Sequence, residues 1–126
     1  MGLQLIESRE VEVRESDWDV NTSLQVQKGD TLIFQAWGQI WAGVWFTGNN
    51  GPNGWNNIDN DLKFPLPASH PYCLVGKLDT GYFFVGSYSR LDHTSDQGTL
   101  FLRVNDDLPG NGNGAFQCLV QVYRDL

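Results

Sequence analysis

Phe116, Cys118, Val120 and Val122 alternate with Gln117, Leu119, Gln121 and Tyr123 near the end of the chain. A two-residue period sends successive side chains to opposite faces, so this stretch reads as a strand with one face on a core. The same period recurs upstream. Val11 and Val13 alternate with Glu10, Glu12 and Arg14, and Leu24 and Val26 with Gln25 and Gln27. Leu32, Phe34 and Ala36 lie opposite Thr31, Ile33 and Gln35, and Leu100, Leu102 and Val104 lie opposite Arg103. Tyr72–Leu78 and Tyr82–Tyr88 flank the turn sequence Asp79-Thr80-Gly81, and Lys28-Gly29-Asp30 marks another turn. Seven or eight short strands with such punctuation predict an all-β fold, an antiparallel β-sandwich. Trp37, Trp41 and Trp45 recur every four residues, as on a helix face, but Gly38, Gly43 and Gly48 interrupt them. Each interior glycine costs a helix about 1 kcal/mol, so a strand running into a loop fits better. Trp37, inside a strand pattern, is expected in the core.

At 126 residues the chain makes one domain, residues 1–126, and 40% hydrophobic content is enough for one core. Fifteen Asp and Glu against eight Lys and Arg leave a net charge of −7. That balance lacks the cationic surface that neutralises phosphates, so no nucleic-acid partner is expected. The longest apolar stretch, around Leu32–Phe46, is broken by Gln35, Gly38, Gln39 and Gly43, which argues against membrane insertion. Met1–Glu12 carries neither the basic nor the apolar part of a signal peptide. The expected location is the cytoplasm, or outside the cell after export by a non-classical route. Cys73 and Cys118 match no metal spacing and read as buried thiols of a reducing compartment, pairing only if the fold joins them. His70 and His93 fit no metal or triad spacing and read as surface residues. Nucleophile-elbow, phosphate-loop and dinucleotide motifs are absent, so no enzyme is expected.

Two irregular stretches stand apart from the strands, Trp41–Ala68 and Asn105–Gly114. The second carries Asn105, Asp106, Asp107, Asn111 and Asn113 among glycines, between two strands that fix its ends. Calcium takes six to eight oxygens from carboxylates, amides and carbonyls, and glycines let carbonyls turn inward. The same residue types also make an ordinary polar hairpin turn. In the first stretch Trp55 follows Gly51-Pro52-Asn53-Gly54 and precedes Asn56. A sugar offers a C–H face to an aromatic ring and hydroxyls to Asp, Asn or Gln. Trp55, expected to be exposed, is therefore a candidate platform with Asn53 beside it; the alternative is that the loop tryptophans fill a core or an interface.

Thr99-Leu100-Phe101-Leu102-Arg103-Val104-Asn105-Asp106, followed by Asn111-Gly112-Asn113-Gly114-Ala115-Phe116, resembles the end of the galactophilic PA-I lectin family. Asn21-Thr22-Ser23-Leu24, Lys28-Gly29-Asp30, Ala36-Trp37-Gly38, Gly51-Pro52-Asn53-Gly54 and Leu74-Val75-Gly76-Lys77-Leu78 are similar to further runs of that family, in order. The resemblance reaches from about residue 8 to residue 123. It implies a jelly-roll-like, galactose-binding-domain-like sandwich with a loop-bound calcium that coordinates two sugar hydroxyls. Carried over, Asp106 and Asn111 touch both metal and sugar, and Ala42 and Leu108 supply carbonyls to the metal. The family's second amide falls on Gly112, which has no side chain; Asn113 is one position late and reaches the metal only if the turn shifts, and Gly112→Asn is expected to tighten calcium if Gly112 has a conformation open to Asn. Asp107, Asn53 and Trp55 complete the expected sugar contacts. The family's sugar-contacting His and Gln have no counterparts in Asn57, Ile58, Asp59, Asn60 and Asp61. The resemblance thus implies a calcium-dependent lectin for galactosides or related glycans, a homo-oligomer because weak single sites need avidity. The alternative is a metal-free β-sandwich interaction module, in which Gly112 marks a lost calcium site and the tryptophan loop meets a protein partner.

Overall fold

The computed structural model describes residues 2–56 and 62–126. The strands are β1 (Leu3–Arg14), β2 (Val20–Val26), β3 (Thr31–Trp41), β4 (Leu74–Leu78), β5 (Gly81–Phe84), β6 (Tyr88–Leu91), β7 (Gly98–Val104) and β8 (Asn113–Asp125). They form two four-stranded antiparallel sheets, ordered β1-β8-β3-β6 and β2-β7-β4-β5. Among the described residues no helix is long and apolar enough to cross a membrane.

The alternation read from the sequence is what packs the sheets together. β8 lies between β1 and β3, with Cys118 opposite Val11 on one side and Ala36 on the other. Phe116, Cys118, Val120 and Val122 are buried, as are Val13, Leu32 and Phe34 beside them. The second sheet answers with Leu24, Leu74, Leu100, Leu102 and Val104. Gly76 leaves space for a ring: a Cβ there would lie 2.5 Å from Phe83, whose ring packs against Phe34 at 5.9 Å between centroids.

Three features depart from the sequence reading. Trp37 is 47% exposed rather than in the core, because it shares the outward phase of Ile33 and Gln35 while Ala36 points in. The run Tyr82–Tyr88 is two strands in different sheets. The Val85 and Gly86 amides both donate to the Leu74 carbonyl, and Gly86 adopts φ +67°, so the chain leaves β5 and crosses to β6. β1 begins at Leu3, ahead of the visible alternation, because a bulge between Leu5 and Glu7 shifts its phase. Cys73 and Cys118 are both buried and free; burial pushes their thiols up to about 11 and about 12.

Lys28-Gly29-Asp30 turns as expected, with Gly29 at φ +92°. Asp30 is buried there and holds the end of β8: Arg124 donates Nε to Oδ1 (2.8 Å) and Nη2 to Oδ2 (2.9 Å), and the Gln27 amide adds a bond at 2.8 Å. Burial alone would raise the carboxyl, but these donors outweigh it and hold Asp30 below its ordinary 3.8. A lowered folded value stabilises the protein above pH 3.8 and stops doing so as pH falls through it. Asp30→Asn should therefore cost about 1.5–3 kcal/mol at pH 7, the range for charged hydrogen bonds. Urea denaturation checks this, and the gap to wild type should close below pH 3.8.

Candidate functional site

The inward rows of the sandwich run on past the strand ends, and there their chemistry changes. Leu100, Leu102 and Val104 of β7 lead to Asp106; Val11 and Val13 of β1 lead to Glu15; Ile40 of β3 leads to Ala42. Asp106 is 3% exposed, Glu15 is 1% exposed, and Ala42 is buried. One end of the core is thus closed by carboxylates.

Asp106 is fixed by its backbone. Its amide donates to the Val104 carbonyl (2.8 Å), and its own carbonyl accepts from Arg103 Nη2 (2.9 Å). Arg103 is itself buried, stacked over Trp18 at 4.7 Å and 3.8 Å from Asp19. Of the carboxylate oxygens, Oδ1 accepts from the Leu108 amide (3.2 Å), while Oδ2 is buried without a partner among the described residues. Burial pushes the Asp106 carboxyl up to about 6; the Leu108 amide opposes this, and Asp107 and the Glu15 charge add to it. The preceding Asn105 ties the 66–72 segment in place: its carboxamide accepts from the Leu66 amide and donates to the Leu66 and His70 carbonyls.

Glu15 was not singled out from the sequence, although the period that buries Val11 and Val13 points it inward. Its amide donates to the Gly114 carbonyl. Its carboxylate accepts from the Gly110 amide (3.2 Å to Oε1, 3.1 Å to Oε2) and from the Gly112 amide (3.1 Å to Oε1). No Lys or Arg pairs with it among the described residues.

The turn at 110–113 is pressed against the loop after β3. A Cβ on Gly112 would lie 1.7 Å from the Trp41 carbonyl oxygen, and one on Gly43 would lie 2.6 Å from Asn111 Cβ. The condition on which Gly112→Asn would restore a ligand is therefore not met, since the backbone of β3 occupies the space its side chain would enter. The contact brings Asn111 against the Ala42–Gly43 loop, and Asn113, at the start of β8, opposes Trp41; Asp106, Asp107 and Leu108 stand earlier on the loop between β7 and β8, with Asp107 3.9 Å from Lys63. Asn53 faces elsewhere, its Oδ1 accepting from the Ser87 amide (2.9 Å) in the β5–β6 turn. Trp55 is half-buried against the core rather than fully exposed, and its carbonyl meets His70 Nδ1 at 2.7 Å. Phe46 joins Trp55 to the exposed Trp45, with ring centroids 5.8 Å and 5.7 Å apart. Asn57, Ile58, Asp59, Asn60 and Asp61 lie outside the described residues.

No family model matches the chain, and no curated protein matches it. Among solved structures, the N-terminal domain of EclA, described as a PllA-like lectin, aligns with a TM-score of 0.69. The alignment covers 96% of this chain and 98% of that one at 24% sequence identity. The two share a fold.

Gly112 is a direct test of how tightly the loops meet. Gly112→Ala should cost about 1–3 kcal/mol, the range for forcing a methyl into packed structure. Chemical denaturation reads this, and a change within about 0.5 kcal/mol, the range of an ordinary surface substitution, would mean that the loops have room.

Proposed function

We propose that the chain is a carbohydrate-binding lectin of the PA-I type, calcium-dependent and selective for galactose-like sugars. The observation that carries this reading is the Asp106 Oδ2, buried with no partner among the described residues, on a loop rich in amide and carboxylate oxygens. A buried charge is costly unless it is paired or coordinates a metal, and among the described residues no Lys or Arg forms an ion pair with the Asp106 carboxylate. The donor set is that of a hard cation, namely carboxylate, amide and carbonyl oxygens. Asp106 and Asn111 would hold calcium through their side chains, Ala42 and Leu108 through their carbonyls, with Asn113 at the rim. Bound there, calcium supplies open coordination positions to vicinal sugar hydroxyls. Asp106, Asp107 and Asn111 then accept hydrogen bonds from those hydroxyls, and Trp55, extended by Phe46 and Trp45, offers rings to the C–H face. Asn53, turned toward Ser87, stands at the periphery of this surface. Several weak sites on a homo-oligomer would give the avidity that one shallow site lacks.

A second reading has one observation in its favour. Trp45 is 86% exposed and Phe46 projects beside it, which also suits a protein interface of a metal-free module. Calcium separates the two. At a hundredfold excess over its dissociation constant a native-state ligand adds about 2.7 kcal/mol, roughly 10 °C in Tm for a chain of this length. A calcium-dependent rise that chelator reverses is expected, and an unchanged Tm at millimolar calcium favours the metal-free module. Asp106→Ala should abolish calcium-dependent binding on a glycan array while the variant stays folded by circular dichroism. Wild-type binding by that variant would place the site elsewhere.

A further inference from the structure

We propose that Glu15 belongs to the cation site, supplying from the end of β1 a charged ligand that the 110–113 turn cannot supply at Gly112. The proposal rests on the calcium reading above.

Three observations carry it. Glu15 is almost wholly buried, and among the described residues its carboxylate meets only backbone amides. Those amides belong to Gly110 and Gly112, so the carboxylate sits against the same turn that holds Asn111. Each carboxylate oxygen can accept about two hydrogen bonds; Oε2 has one, and so keeps a lone pair for a further partner. Next, the Trp41 carbonyl closes the space in front of Gly112, so no side chain at 112 can reach the metal. From the neighbouring strand end, Glu15 already places a carboxylate oxygen 3.1 Å from the Gly112 amide. Finally, the Asp106 oxygen that has no partner among the described residues is buried on the same loop, between β7 and β8, whose Gly110 and Gly112 amides donate to the Glu15 carboxylate. Two carboxylates brought together inside a fold repel one another, and a divalent cation between them turns that repulsion into attraction.

The competing role for Glu15 is purely structural, as an acceptor that fastens the turn. Glu15→Gln separates the two, because its amide oxygen, placed where Oε1 lies, still accepts from the Gly110 and Gly112 amides while the charge and the bond at Oε2 are gone. Titration calorimetry with calcium should show the Gln variant weakened by about tenfold or more, as expected when a metal site loses a supporting group. Europium luminescence lifetimes in H2O and D2O should count one more bound water in the variant, and its Tm in chelator should be no lower than wild type. If the Gln variant does not fold, Glu15→Asp keeps the charge but withdraws the oxygens by one methylene. Weaker calcium and an added water support ligation there too. Wild-type calcium affinity and water count in the folded variant would overturn the role of Glu15 alone. Absence of calcium binding by wild type, or binding unaffected by Asp106→Asn, would overturn the calcium reading itself.

Discussion

The phase of the inward rows is the constraint from which the rest follows. β8 is hydrogen-bonded along most of its length to β1 and β3, so the burial of Phe116, Cys118, Val120 and Val122 fixes which side chains of both neighbours face the core. A slip of one residue would turn each row to solvent. Carried one step beyond the strands, the same phase delivers Glu15 and Asp106 to the interior end of the sandwich. The site is in this sense the last layer of the core, built with carboxylates where the layers beneath use valine and leucine.

That placement has an energetic consequence. Hydrophobic layers gain by leaving water, whereas a carboxylate at the same depth loses solvation and is tolerated only with donors or a cation. The backbone of the 110–112 turn supplies donors to Glu15, and Arg103 fixes the Asp106 carbonyl rather than its carboxylate. Asp30, equally buried, shows the contrast: it meets Arg124 through two bonds and its carboxyl falls, while the Asp106 carboxyl rises. One carboxylate is held by a cation; the other keeps an oxygen with no partner among the described residues.

Much of this was legible in the residues. Alternation alone located the inward faces of β2, β3, β7 and β8, and the Lys28-Gly29-Asp30 turn followed from its glycine. The resemblance to a lectin family pointed to the β-sandwich, and it singled out Asp106, which the structure buries just past the end of β7. What stayed hidden depends on long-range contact. The Leu5–Glu7 bulge erased the early alternation of β1, and the Val85-Gly86 crossing used a carbonyl from β4 that no local pattern reveals. Trp37, expected in the core because it lies inside a strand pattern, takes the outward phase of that strand. Glu15 was overlooked although its phase was readable, since a charged residue after a strand ordinarily reads as solvated. The closed space at Gly112 came from two loops distant in sequence.

The most direct test of the account is a crystal structure grown with calcium and a galactoside, with anomalous differences used to locate the ion. The account predicts one calcium peak between Asp106 and the 110–113 turn, with Asp106 Oδ2 and Asn111 as ligands and two sugar hydroxyls completing its shell. A turn free of anomalous density, with the galactoside absent or bound at another surface, would contradict it.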